Sequence, residues 1–204
     1  MKLPFKKVFG FGFMLLLLPM AGCKKAESPV SGNEENLPAV NAKLTLLSPE
    51  QTGVEFINAF TENFDYNIYT YEYLYNGCGV AVGDVNGDGL PDLYFASAFA
   101  TNKLYLNRGN MTFADVTDIA GVAAPDGYKT GVTMADVNGD GLLDIYSCRT
   151  SKDDDGKKTD HLFINKGNHT ENGMEIPVFE DQAKKLGLDD NSNTNHACFF
   201  DMDR

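Results

Sequence analysis

Two nine-residue stretches of this chain are nearly the same: residues 84–92 read DVNGDGLPD and residues 136–144 read DVNGDGLLD, 52 positions further on. A nonapeptide recurring at that distance marks a chain assembled from repeated supersecondary units, each burying its apolar face against the next. The flanks recur with it. Gly79-Val80-Ala81-Val82-Gly83 leads into the first copy and Gly131-Val132-Thr133-Met134-Ala135 into the second. Leu93-Tyr94-Phe95 and Ile145-Tyr146-Ser147 lead out. A third copy begins at Asp201-Met202-Asp203, approached by Ala197-Cys198-Phe199-Phe200. A second block repeats between the loops: LYLNRGN at 104–110 matches LFINKGN at 162–168. Each block is followed by a Phe-x-Asp step (Phe113 to Asp115, Phe179 to Asp181) and then by a Gly-apolar pair, Gly121-Val122 or Gly187-Leu188. The second copy is longer, chiefly through residues 169–177.

The periodicity inside the unit is that of short strands. Leu104-Tyr105-Leu106, a turn at Arg108-Gly109-Asn110 and the run 112–116 predict one hairpin. Residues 131–135 entering the acidic loop and 145–147 leaving it predict another. Four short strands in a unit of roughly 50–65 residues is the pattern of a propeller blade, so the fold class is all-β. Residues 119–121 and 183–186 are each expected to form a single helical turn. Tyr69, Tyr71, Tyr73 and Tyr75 alternate with period two, which predicts a strand with four rings on one face. Such a face is a candidate sugar-stacking strip as well as a packing surface.

The acidic loop places Asp, Asn, Asp and Asp at its positions 1, 3, 5 and 9, with a glycine at position 6 where a side chain would obstruct the turn. At about 5 Å separation each carboxylate pair repels by roughly 3 kcal/mol at an effective dielectric of about 20. Three converging carboxylates therefore favour a cation between them. An all-oxygen donor set selects a hard ion, and its flexibility favours Ca²⁺ over Mg²⁺. An EF-hand is excluded: it needs a bidentate Glu at position 12, where Phe95 and Ser147 stand, and it needs flanking helices. A metal-free Asx turn is the alternative for a single copy. Two copies with three carboxylates each argue for the ion.

With these motifs the sequence resembles the FG-GAP, or VCBS-type, repeats of integrin-α-like β-propellers. Within that group it is most similar to bacterial proteins related to cartilage acidic protein, which often end in an ASPIC/UnbV domain. The resemblance covers about residues 45–204. It implies a Ca²⁺ in each complete loop, held by side chains at positions 1, 3, 5 and 9 and the carbonyl at 7. Here these are Asp84, Asn86, Asp88, Leu90 and Asp92, then Asp136, Asn138, Asp140, Leu142 and Asp144. Asp201 and Asp203 match the start of a third loop. A propeller closes with roughly 4–8 blades, and the chain holds between two and three. The expectation is therefore the front part of a longer protein, whose remaining blades would cover an otherwise exposed face. Alone it is expected to be poorly soluble or self-associating.

The N-terminus reads as an address. Lys2, Lys6 and Lys7 precede an apolar run at 8–18, followed by Pro19-Met20-Ala21-Gly22 and Cys23. A basic region, a short apolar region and small residues make a secretory signal peptide. The run is too short for a retained membrane span. Ala21-Gly22-Cys23 resembles a bacterial lipobox, which implies cleavage after residue 22 and acylation of Cys23. Residues 23–43, polar and broken by Pro29, Gly32 and Pro38, then form a flexible tether ahead of the repeats at 44–204. The expected location is the outer membrane of a Gram-negative bacterium.

Composition narrows the partners. A net charge of −12 and a pI near 4.5 exclude a nucleic-acid footprint. With Cys23 acylated, three cysteines remain (Cys78, Cys148 and Cys198), so at least one stays unpaired; small buried hydrophobes are their expected role. His161, His169 and His196 show no zinc spacing, and Asp153-Asp154-Asp155 reads as a solvated loop. No nucleophile elbow, phosphate loop or dinucleotide fingerprint is present. The leading expectation is a non-enzymatic calcium-stabilised module for adhesion or for binding a protein or glycan ligand. A carbohydrate-active enzyme or glycan-capture component, with its active residues in other blades, is the alternative, and an assembly scaffold is the third.

Overall fold

The computed structural model describes residues 44–125, 127–151 and 159–202. The leader, Cys23, the tether, the run Asp153-Asp154-Asp155 and Asp203 lie outside the described residues. Two four-stranded antiparallel sheets make up the repeat region, each a simple meander. The first runs β1 (Val80–Gly83), β2 (Asp92–Phe95), β3 (Lys103–Asn107) and β4 (Phe113–Asp115). The second runs β5 (Tyr128–Ala135), β6 (Asp144–Thr150), β7 (His161–Glu171) and β8 (Met174–Asp181). This is the all-β, four-strands-per-repeat architecture expected of propeller blades.

Register places the repeated nonapeptide. Gly83 pairs with Asp92 and Ala135 with Asp144, so each acidic loop joins the first two strands of its blade. The insertion at 169–177 lengthens the last hairpin: β7 and β8 have 11 and 8 residues against 5 and 3 in β3 and β4. A register shift between Asn165 and Asn168 sets this extension off from the rest of the blade. The Phe-x-Asp step and the Gly-apolar pair acquire a local reason. Asp115 Oδ1 accepts the Thr117 N–H at 3.0 Å, and Asp181 Oδ1 accepts that of Ala183 at 3.1 Å. These bonds open the expected helical turns, α1 (Thr117–Ala120) and α2 (Ala183–Leu186). Gly121 and Gly187, at φ of 77° and 70°, close them in the left-handed conformation.

The main apolar core is shared between the blades. Tyr94, Leu104, Leu106 and Val122 of the first unit pack in one cluster with Val132, Ile145, Phe163 and Phe179 of the second. Neither sheet would bury this face alone, as the repeat predicts. The Tyr94 hydroxyl donates to the Val122 carbonyl at 2.9 Å, and Asn102 Nδ2 donates to that hydroxyl at 2.7 Å. Lys129 is fully buried and gives its Nζ to the carbonyl of Ala100 at 2.6 Å, across from one unit to the other. The far face of the first sheet is covered in part by the segment ahead of β1, where Phe56 stacks on Phe95 at 4.8 Å, while Val80 and Val82 on that face stay exposed. The start of the third repeat lies along the second unit: Thr133 Oγ1 donates to the Ala197 carbonyl at 2.6 Å and Phe199 meets Tyr146 edge-on.

Backbones approach closely where the units meet. The Gly79 N–H donates to the Thr130 carbonyl, and a Cβ at Gly79 would stand 2.6 Å from the Val132 nitrogen. Both obstructing groups are main chain, so the substitution cannot be absorbed by a rotamer change. Gly79→Ala is expected to cost about 1–3 kcal/mol, the usual range for overpacking, read as a lower urea midpoint at unchanged slope. An unchanged midpoint would mean that the units do not meet as tightly as described.

Candidate metal-binding loops between the strands

The two acidic loops share one hydrogen-bond scheme. Asp84 Oδ1 accepts the N–H groups of Gly87 (2.7 Å) and Asp88 (3.2 Å), and its Oδ2 accepts that of Gly89 (2.8 Å). Asp136 repeats this with Gly139 (2.7 Å), Asp140 (3.2 Å) and Gly141 (2.8 Å). The chain can wrap around a carboxylate in this way because both loop glycines take positive φ: 77° and 85° at Gly87 and Gly89, 75° and 87° at Gly139 and Gly141. The residues at loop position 5, Asp88 and Asp140, each accept the N–H two residues on, at 2.8 and 2.9 Å. Asn86 and Asn138 donate to those same Asp side chains at 3.0 and 2.9 Å.

The ninth position is different in kind. Asp92 and Asp144 are 0% and 1% exposed, whereas Asp88 and Asp140 face solvent. Asp92 Oδ2 accepts the Val85 N–H at 2.9 Å and Oδ1 that of Asn107 at 2.8 Å. Asp144 accepts from Val137 at 3.0 Å and Asn165 at 2.8 Å. Each of these carboxylates therefore closes its own loop and ties it to the third strand of the blade. Burial pushes the Asp92 carboxyl up to about 6 against the pull of its two N–H donors, and the charges of Asp88 and Asp84 add to the rise. Burial raises Asp144 as well, with Asp140 and Asp136 contributing. Asp136 itself is held below the ordinary carboxylate range, chiefly by the Gly141 N–H.

These observations test whether the residues suit a hard cation. The donors are all oxygen, and each loop carries three carboxylates of which one is desolvated and electrostatically uncompensated. That chemistry fits Ca²⁺. The convergence is not preformed: among the described residues no three His, Cys, Asp or Glu side chains stand together as a metal-holding group. Their oxygens are turned to loop N–H groups, although each carboxylate oxygen retains a further lone pair. Of the third loop, Asp201 is exposed.

The tyrosine strip is not a strand. Residues 64–76 form successive turns, with Tyr71 N–H bonded to Asn67 O at 2.9 Å and Asn76 N–H to Tyr73 O at 3.0 Å. Ahead of the rings, Asn63 Oδ1 accepts the N–H groups of Asp65 and Tyr66, and Asn67 Oδ1 those of Tyr69 and Thr70; this local bonding overrides the period-two pattern. Tyr69 is 97% exposed, while Tyr71 is buried with its hydroxyl on Thr150 Oγ1. Tyr73 and Tyr75 are half-exposed, and Tyr75 bonds Glu62. The four rings thus do not line one face, although Tyr71 and Tyr73 meet edge-on at 5.9 Å. The aromatic concavity of this region is instead a cavity of about 360 Å³, walled by Phe60, Tyr66, Phe99 and Tyr128.

His161 stands between Asp181, 2.6 Å from its Nδ1, and Arg149, 2.7 Å from its Nε2. His169 lies beside Glu171 at 3.4 Å. The cysteines depart from the expectation in one case. Cys148 is buried and Cys78 half-buried, but Cys198 is exposed, while its neighbours Ala197 and Phe199 pack against the second unit.

Residues 63–147 match the FG-GAP-like repeat family. The chain carries an FG-GAP-like repeat. It is also similar to cartilage acidic protein 1 of Mus musculus and of Homo sapiens, each 39% identical over 69 residues, and to that of Xenopus tropicalis, 35% identical over 69. The aligned stretch is 34% of this chain and only 10–11% of those proteins. An FG-GAP repeat of this kind is a β-propeller-like module for ligand or protein interaction. The sequence motifs found the loops, but they passed over the glycine at position 4, the buried valine at position 2 and the asparagines of the second block.

Two predictions follow from these environments. Without metal, the Asp92 side-chain carbon is expected to titrate near pH 6 by NMR. Its folded value lies above the unfolded carboxylate value of ~3.9, so its charge costs on the order of 3 kcal/mol above pH ~6; the cost is relieved as pH falls toward ~4. A midpoint near 4 would contradict the burial argument. Burial also pushes the Cys148 thiol up to about 12 and Cys78 up to about 11. Iodoacetamide at pH 8 should therefore modify Cys198 well before Cys148, as resolved by peptide mass spectrometry.

Proposed function

We propose that this chain is part of an exported, lipid-anchored, calcium-stabilised β-propeller that binds a protein or glycan ligand without catalysing a reaction. The observation that carries the reading is the pair of equivalent acidic loops. Both hold three carboxylates on one hydrogen-bond scheme, and both bury the ninth-position carboxylate against two backbone N–H donors. Ca²⁺ would be held by Asp84, Asn86, Asp88, the Leu90 carbonyl and Asp92, and by Asp136, Asn138, Asp140, the Leu142 carbonyl and Asp144. When bound, it would supply positive charge that offsets the carboxylate repulsion and fixes the outer loops; the role is structural. Asp84 and Asp136 order the loop backbone beforehand, while Asp92 and Asp144 anchor it to the sheet.

The leader and the Ala21-Gly22-Cys23 motif support export and acylation at Cys23. An anchor there, followed by the tether at 23–43, would hold the module at the outer-membrane surface of a Gram-negative bacterium. The similarity to part of cartilage acidic protein 1 supports a module that continues into further blades, which would cover the remaining faces.

Calcium titration by calorimetry on the full chain in mild detergent should give about two ions per chain, and chelation should lower the melting temperature by several degrees. No heat of binding and an unchanged melt would return both loops to ordinary Asx turns. Separately, Cys23→Ala should move the protein from the membrane to the soluble fraction and abolish palmitate labelling. Membrane retention of the variant would count against the lipid anchor.

A further inference from the structure

Asn165 stands between the two acidic loops and bonds to both. Its N–H donates to Asp144 Oδ1 of the second loop at 2.8 Å. Its side-chain Nδ2 donates to the carbonyl of Val85, in the first loop, at 2.8 Å, and to that of Leu143 at 3.2 Å. Its Oδ1 accepts the Gly167 N–H at 2.9 Å, which holds the amide in this orientation. Val85 in turn gives its own N–H to Asp92 Oδ2 at 2.9 Å. Three hydrogen bonds thus run from the buried carboxylate of one loop to that of the other, Asp144 to Asn165 to Val85 to Asp92. Asn165 and Val85 are each 1% exposed, so water is kept from substituting for either.

Beside this run, the extended β7–β8 hairpin touches the first loop again. Asn168 Nδ2 donates to the Asn86 carbonyl at 2.6 Å, and Asn86 Nδ2 donates to the Glu175 carbonyl at 3.3 Å. Asn107, the matching residue of the first unit, donates its N–H to Asp92 and its Nδ2 to the Pro91 carbonyl, both within its own blade. What Asn165 adds is the bond to the preceding unit. The second copy of the LxxNxGN block therefore acts as a clasp on the acidic loop of the blade before it.

We propose that Asn165 couples the two loops, so that a divalent cation held in one raises the affinity of the other. The inference rests on the calcium reading above and concerns the residue that transmits its effect. An ion that draws in Asp144 sets the position of the Asn165 backbone. The side chain, fixed at both ends, then presets Val85 and with it Asp92. Through space the interaction has the opposite sign: two bound dications repel, which makes unlinked loops fill independently or anticooperatively. Positive cooperativity is therefore diagnostic of a mechanical link, and the coupling is reciprocal by thermodynamic necessity.

Calorimetric Ca²⁺ titration of the full chain tests it, with circular dichroism to verify folding. The wild type should bind two ions with a Hill coefficient above 1. Asp140→Asn, in the exposed part of the second loop, should weaken the first loop about fivefold or more. Asp88→Asn should weaken the second by the same factor. In an Asn165→Ala background both ions should still bind, with a Hill coefficient of 1 or less, and Asp140→Asn should no longer weaken the first loop. Independent sites in the wild type, or an Asp140→Asn effect that survives removal of Asn165, would overturn the coupling while leaving calcium binding intact. No binding by the wild type would overturn the calcium reading and this inference with it. Should Asn165→Ala fail to fold, the two loop variants decide at 0.5 M KCl, where charge effects are screened to about 4 Å: matched losses support the link, and no loss overturns it.

Discussion

A buried carboxylate at the end of each acidic loop is the group on which the rest of the blade depends. Asp92 and Asp144 begin the second strand of their sheets, and each takes one N–H from the loop and one from the third strand. A single side chain thereby fixes the loop entry, the start of β2 or β6 and the end of β3 or the bend in β7. The two bonds do not cancel the cost of desolvating the charge, as the raised value at Asp92 indicates. The blade is built around an anion that is geometrically satisfied and electrostatically unsatisfied. Hydrogen bonds set where the carboxylate sits; they do not remove its preference for a positive neighbour.

The same economy governs the contact between units. The main apolar core belongs to neither sheet alone, since Tyr94, Leu104, Val132, Ile145 and Phe179 share one cluster. Polar groups set the register of that shared core. Lys129 reaches the Ala100 carbonyl, Asn165 the Val85 carbonyl and Asn168 the Asn86 carbonyl. Apolar packing between two sheets tolerates sliding, whereas a buried donor aimed at one carbonyl does not, because a slipped register leaves it unpaired. In the second copy of the repeated block this gives both asparagines, Asn165 and Asn168, a partner in the preceding unit.

Features encoded within one unit were legible in the sequence. Four strands, hairpins at the right places and two helical turns followed from local patterns, and the identity of eight positions in nine made the loops conspicuous. Two kinds of feature were not legible. The first is local competition: the tyrosines at 69–75 alternate like a strand, but Asn63 and Asn67 bind their own backbone and turn the chain. Alternation reports side-chain period only where the backbone is free to extend. The second is partnership across units. Nothing in LFINKGN says that its first asparagine answers Val85, 80 residues earlier, because a repeat motif records conservation of a role without naming the partner. The glycine at loop position 4 was readable in principle, since Gly87 and Gly139 both stand where only a left-handed residue allows three N–H groups to reach one carboxylate.

The proposed export and the loops bear on one another through affinity. A loop whose carboxylates are turned to backbone N–H groups must give up part of that arrangement to take an ion, so its binding is weakened by the rearrangement. Calcium modules that work outside the cytoplasm bind in the range of about 10⁻⁴–10⁻³ M, far weaker than cytosolic sensors. On the proposed reading, an exported repeat can rely on so weak a site because the surrounding ion keeps it filled. A cytosolic copy of the same loops would carry its desolvated carboxylates uncompensated. Coupling through Asn165 would sharpen that difference: two linked weak sites fill over a narrower range of calcium than two separate ones. The blade pair would then stiffen as the protein leaves the cell interior, and the ligand surface formed by the outer loops would be ordered only where a ligand is to be met.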